Sequence, residues 1–160
     1  ILGLFVHKDI PRGLSALETV LRIGEQGGLA VAAHPMARGV HGLSASGLRA
    51  LVADPDARSV LVGLEAINAG LVLQGSNAKT GPLAGELNLA QTGGSDSHVL
   101  FTVGSGITTF PGRTAADLRR ALLSRSTQGV KLDDFNLLRL LAIWLPGRLW
   151  RRVRWAPLHS

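Results

Sequence analysis

Gly28-Leu29-Ala30-Val31-Ala32-Ala33-His34-Pro35 is a short, wholly apolar run that follows a glycine pair and stops at a histidine and a proline. A run of this length with no polar position suits a strand buried on both faces of a parallel sheet. The residues before it read as a helix. Ser15 opens that helix with Glu18 three positions on, a capping box, and Leu14, Leu17, Val20 and Leu21 supply an apolar stripe. Gly27-Gly28 ends it. Further back, Leu2 to Val6 reads as another buried strand.

The alternation continues downstream. Met36 to Leu43 is a polar, glycine-containing loop, Ser44 to Ala53 a short helix stopped near Asp54-Pro55, and Val60 to Ile67 a third strand. After an ambiguous stretch to Gly81, Pro82 suits the first turn of a helix running to about Ala90. Gln91 to Ser95 and Gly106 to Phe110 read as further strands. Thr114 caps a last helix, with Asp117 at the capping-box position and Leu118, Ala121 and Leu122 facing inward. Strands alternating with helices of this length define an α/β protein with a parallel sheet.

Composition agrees with one globular domain. The chain has 160 residues, 46% of them apolar, with a mean hydropathy of +0.23, enough to bury a core. The absence of cysteine excludes disulfides, zinc fingers and thiol catalysis together. The net charge of +6 is local: through Asp134 there are 12 Lys and Arg against 11 Asp and Glu, and five further arginines follow from Arg139 to Arg154. A general nucleic-acid-binding surface on the body is therefore not expected. No apolar run reaches the roughly 18 residues of a membrane span, and the opening residues do not read as a signal peptide. Because the chain opens at Ile1 inside an apolar strand, further residues are expected upstream.

Chemistry concentrates at the ends of the apolar runs. His34 closes one, and Thr92-Gly93-Gly94-Ser95-Asp96-Ser97-His98 closes another, with Glu65 and Asn68 near the end of a third. Ligands of parallel α/β folds bind at the carboxyl ends of strands. One carboxylate and two imidazoles suit a borderline divalent ion, which activates water and polarises a phosphoryl or carbonyl oxygen. Each motif alone has an ordinary structural reading: Asp96 as a helix cap, His98 as an exposed loop residue, His34-Pro35 as a turn. Their joint placement favours metal.

Gly28 to Pro35, Gly63-Leu64-Glu65-Ala66-Ile67-Asn68 and Gly94-Ser95-Asp96-Ser97-His98, in this order, resemble the PHP (polymerase and histidinol phosphatase) family. Thr109-Phe110-Pro111-Gly112 resembles its closing strand, and the likeness spans roughly Leu2 to Ser126. The resemblance implies a distorted (β/α)7 barrel, here lacking its N-terminal strands, with two or three Mn, Zn or Fe ions at the strand ends and metal-dependent phosphoester hydrolysis. By the same resemblance His34, Asp96 and His98 are metal ligands, and Glu65 and Asn68 shape the site. The family's opening His-x-His and its following ligands have no counterpart here. The chain is thus expected to be the C-terminal part of such a barrel, at best feebly active alone. A metal-dependent amidohydrolase would want other ligand motifs.

Arg38, in the loop after His34-Pro35, is a candidate for gripping a substrate phosphate, and His41 in the same loop a candidate substrate contact. His7 reads as a surface residue and Lys79 as a solvated one. Residues 1–130 form the barrel portion in this reading, and 131–160 an apolar and basic helical tail. Within it, 137–155 interleaves leucine, tryptophan and arginine, which suits packing on a barrel, peripheral membrane contact or, less well, nucleic acid. The expected partner is a phosphate-containing small molecule or oligonucleotide, in a cytoplasmic or membrane-peripheral protein. The competing function is a non-catalytic accessory or membrane-associated module.

Overall fold

The computed structural model describes residues 1–37, 42–70, 74–98 and 100–132. Arg38, His41 and the tail 137–155 lie outside the described residues. Among the described residues six strands and five α-helices follow in chain order: β1 (Leu2–Leu4), α1 (Ala16–Glu25), β2 (Leu29–Ala32), α2 (Ala45–Ala53), α3 (Pro55–Val60), β3 (Leu61–Asn68), α4 (Asn77–Glu86), β4 (Ala90–Gly94), β5 (Gly106–Thr109), α5 (Ala115–Ser124) and β6 (Gln128–Lys131). Strands β2, β3 and β4 are parallel neighbours in that order, and β1 adds to β2 in the antiparallel sense. β5 and β6 form a separate antiparallel pair.

The α/β class and the parallel sheet are as the alternation predicts. Closure into a barrel is not seen among the described residues, where the sheet is open. Its β1 edge runs against the parallel direction, and at the other side β5 and β6 pair with each other.

Burial on both faces explains the unbroken apolar runs. Every residue of β2 is buried. Ala30 and Ala32 pack with Leu61 and Leu64 of β3 under α1 to α4, through Val20, Ile23, Leu48, Leu51 and Leu83. The alternate residues Leu29 and Val31 join Val62, Ala90 and Leu122 on the other face. There α5 closes the core, and Arg119 anchors it by donating to the Gly27 carbonyl at 2.9 Å and stacking 5.2 Å from the Phe5 ring centroid.

Helix ends follow local chemistry. Ser15 and Glu18 form the capping box of α1, which ends in a Schellman turn: Gly27 (φ +69°) and Gly28 return N–H bonds to Gly24 and Ile23. Asp54 ends α2 and also caps α3, accepting from the Ala57 N–H at 2.9 Å.

Four expectations are corrected. Leu2 is 46% exposed, so β1 is an edge strand and not a buried one. The stripe of α1 buries Val20 and Ile23, whereas Leu17 faces outward. α4 starts at Asn77, placing Pro82 inside the helix. The missing N–H forfeits the bond to the carbonyl of Ala78, an exposed residue where water can replace it. Strand β6 has no alternating apolar pattern and was not expected. Among the described residues no helix is long and apolar enough to cross a membrane.

The cap of α5 carries a pH dependence. The Asp117 carboxylate accepts from the backbone N–H of Arg113 and from the Thr114 side chain and N–H, and lies beside Arg120. These bonds, the Arg113 N–H foremost, lower its pKa from 3.8 to about 2. A depressed folded-state pKa stabilises fully above 3.8 and is lost as pH falls toward 2. Urea unfolding of wild type and Asp117→Asn should therefore differ above that window and converge below it. A constant difference across pH would remove the carboxylate from the account.

Candidate metal centre at the strand ends

The carboxyl ends of β2, β3 and β4 meet around one buried carboxylate. Glu65, 6% exposed, lies within β3, and its Oε2 accepts the backbone N–H of His34 at 2.7 Å and the Asn68 amide at 3.0 Å. Residues three apart on a regular strand point to opposite faces. Here the pairing of β3 with β4 shifts register between Glu65 and Ile67, which brings Asn68 round to the side of Glu65. The other oxygen, Oε1, occupies the space where a Cβ on Gly94 would stand. A side chain there would push the Glu65 carboxylate aside.

Asn68 is wholly buried and links two acids, since its Nδ2 also donates to Asp96 Oδ2 at 3.2 Å. Its Oδ1 accepts the Gly70 N–H at 3.0 Å. Asn77, the first residue of α4, clasps the backbone of Asn68 from outside. Its Oδ1 accepts the Asn68 N–H at 3.1 Å, and its Nδ2 donates to the Asn68 carbonyl at 3.0 Å. A buried charge is tolerable only when donors surround it, and this network provides them.

Two of the candidate ligands sit on strained backbone: His34 has φ +29° and Asp96 φ +44°. Non-glycine residues in this region are uncommon and concentrate at functional sites. His34 is held there by the Glu65 bond, while Asp96 follows Gly93-Gly94-Ser95 over Gly70, where an added Cβ would meet the Ser95 and Asp96 carbonyls at 2.7 Å.

The donor atoms fit a divalent metal in kind. Among the described residues His34 Nδ1 is buried with no hydrogen-bond partner, a costly state unless something else bonds it. His98 Nδ1 lies 2.9 Å from the Asp96 carbonyl oxygen. A carbonyl only accepts, so Nδ1 carries the proton and a neutral ring presents the Nε2 lone pair, the arrangement usual for metal-bound histidine. Asp96 adds a carboxylate. Among the described residues, however, no three His, Asp or Glu side chains gather closely enough to hold an ion. The structure therefore does not bring His34, Asp96 and His98 together as a metal-holding group among the described residues.

Glu65 and Asn68 lie at the centre of this hydrogen-bond network. The parts of Asn77 and Gly70 in it were not foreseen, and Gly94 was read only as part of the turn before Asp96. An asparagine opening a helix nine residues after a strand-end asparagine was the available signal, but it lay in the ambiguous stretch. His7 and Lys79 are exposed.

Residues 74–127 match the PHP-associated family. This stretch resembles the PHP-associated family, and the rest of the chain lies outside the match. The segment holds α4, β4, the Asp96 to His98 turn, β5 and α5, while His34 and Glu65 precede it. A stretch of 35 residues, 22% of the chain, is 63% identical to 20% of an uncharacterized protein of Methanocaldococcus jannaschii. A crystal structure from Bifidobacterium adolescentis, provisionally named a metal-dependent phosphoesterase, aligns over 81% of the chain at 28% identity with a TM-score of 0.47. The chain spans 40% of that structure's length.

Proposed function

We propose that the chain supplies the late strands of a metal-dependent phosphoesterase, with His34, Asp96 and His98 as its share of the metal ligands. The observation that carries this reading is the buried Nδ1 of His34, without a partner among the described residues, together with the Asp96 carbonyl that fixes the His98 ring. The PHP-associated match supports the same chemistry. Two or three ions, Mn²⁺, Zn²⁺ or Fe²⁺, would complete the centre with ligands from outside this chain. Such ions activate water and polarise a phosphoryl oxygen.

The chain's own residues do the positioning. Glu65 fixes the His34 backbone, Asn68 ties Asp96 to Glu65, and the Asp96 carbonyl sets the tautomer of His98. Arg38, which follows His34 in the sequence, would contact the substrate phosphate, and His41 another part of the substrate. The substrate class is a nucleotide, an oligonucleotide or a small phosphate ester, and the parent fold a distorted (β/α)7 barrel.

The test is made on the whole protein that contains this chain. Elemental analysis should find bound transition metal, and a chromogenic phosphodiester should be cleaved with Mn²⁺ and spared after chelation. Asp96→Asn should lose both metal and cleavage while remaining folded. Protein that retains no metal after Mn²⁺ or Zn²⁺ loading would refute the assignment.

A further inference from the structure

At the end of the sheet opposite the candidate metal centre, a cleft of about 260 Å³ opens between α3, α5 and the turn from α4 into β4. Its floor is apolar: Leu61, Leu89 and Leu122. Its walls carry two arginines, Arg58 and Arg125, together with Asn88, and no acidic residue lines it. The size falls just below the roughly 300–1,000 Å³ of sites for drug-sized ligands, so its occupant is small.

Both guanidinium groups are placed, not free to wander. Arg58 Nη1 donates to the Leu87 carbonyl at 2.9 Å, and Arg125 Nε donates to the Asn88 carbonyl at 2.8 Å. The two arginines thus converge on consecutive carbonyls of one turn, whose Asn88 has φ +54°, while Arg125 itself caps α5 at φ +60°. Among the described residues the ion pairs are Arg22–Glu25, Arg49–Glu86 and Arg120–Asp117, so neither cleft arginine meets a carboxylate. A guanidinium has five N–H donors, and one carbonyl each leaves most of them for another acceptor. Two fixed positive forks in one concave, acid-free cleft are suited to a tetrahedral oxyanion.

We propose that this cleft is a phosphate-binding site, distinct from the strand-end centre, for inorganic phosphate or the phosphate group of a small monoester. The apolar floor accommodates the organic part of a monoester.

Titration of the ¹⁵N-labelled protein in chelator, so that no turnover occurs, tests this with inorganic phosphate and phenyl phosphate as probes. Saturable shifts are expected at the amides of Asn88, Leu89 and Arg125, with a Kd on the order of millimolar. Tighter binding of phenyl phosphate would assign the site to monoesters, and equal binding to free phosphate. The double variant Arg58→Gln/Arg125→Gln should weaken binding by about tenfold or more, as loss of charge-assisted bonds requires. Should that variant unfold, Arg125→Lys, which keeps the charge and loses the fork, should weaken binding to a smaller degree. No saturable shift at these amides with either probe, or unchanged affinity in the folded variants, overturns the proposal.

Discussion

Replacing Glu65 by alanine is expected to lower the free energy of unfolding by about 2–4 kcal/mol, among the largest losses available to a single side chain here. The carboxylate is buried, and its Oε2 accepts both the His34 N–H and the Asn68 amide. Alanine leaves those two donors without their acceptor and opens a void beside Gly94. Glu65→Gln should cost less, because one amide oxygen can still accept from both. Under the proposed function the loss also reaches the metal centre, since the His34 backbone would no longer be held at φ +29°. Metal affinity of the whole protein should fall about 10–100-fold, as for other groups that orient metal ligands. Urea unfolding and metal titration read the two effects separately. A stability change below about 1 kcal/mol would show that the donors find other partners.

Gly93→Ala is expected to destabilise by about 3 kcal/mol or more through backbone collision. An added Cβ would run into the Ile107 carbonyl oxygen and meet Gly129 Cα at 3.0 Å and the Val130 nitrogen at 3.1 Å. All three are main-chain atoms, so no rotamer relieves the clash. The β5–β6 pair lies against β4 only because glycines face each other there, and Thr108 Oγ1 seals the contact by donating to the Gly93 carbonyl and accepting its N–H, each at 2.9 Å. Gly85→Ala is the control. Within α4 its added methyl meets nothing within 4 Å, so it should stabilise by roughly 0.5–1 kcal/mol. Equal effects of the two substitutions in urea unfolding would contradict the close approach.

What was legible in the sequence is what short-range chemistry decides. Ser15 with Glu18 and Thr114 with Asp117 announce their helices because each box closes within four residues. The run Leu29–Ala32 announces a doubly covered strand because both faces are buried. The order of strand-end residues His34, Glu65, Asn68 and Asp96 was also readable, and they do share one end of the sheet.

The rest depended on contacts between distant segments. Asp54 serves two helices, and only its role in stopping α2 shows in the sequence. α4 starts five residues before its proline, over Asn77-Ala78-Lys79-Thr80-Gly81, where propensity is weak and packing on β3 decides. β6 is held by pairing with β5, and its own pattern is silent. The register shift that turns Asn68 toward Glu65 has no local signature at all.

The clasp between Asn68 and Asn77 bears on how such a site can diversify. Two reciprocal bonds join the last residue of β3 to the first of α4, so the connection between them is pinned at its base. A closed loop pays only slowly for added length, about 0.6 kcal/mol per doubling. Ala69 and Gly70 are tied to Gly94, Asn68 and Asp96 and must stay. Beyond Gly70, evolution can therefore lengthen this connection without disturbing Glu65, Asn68 or Asp96.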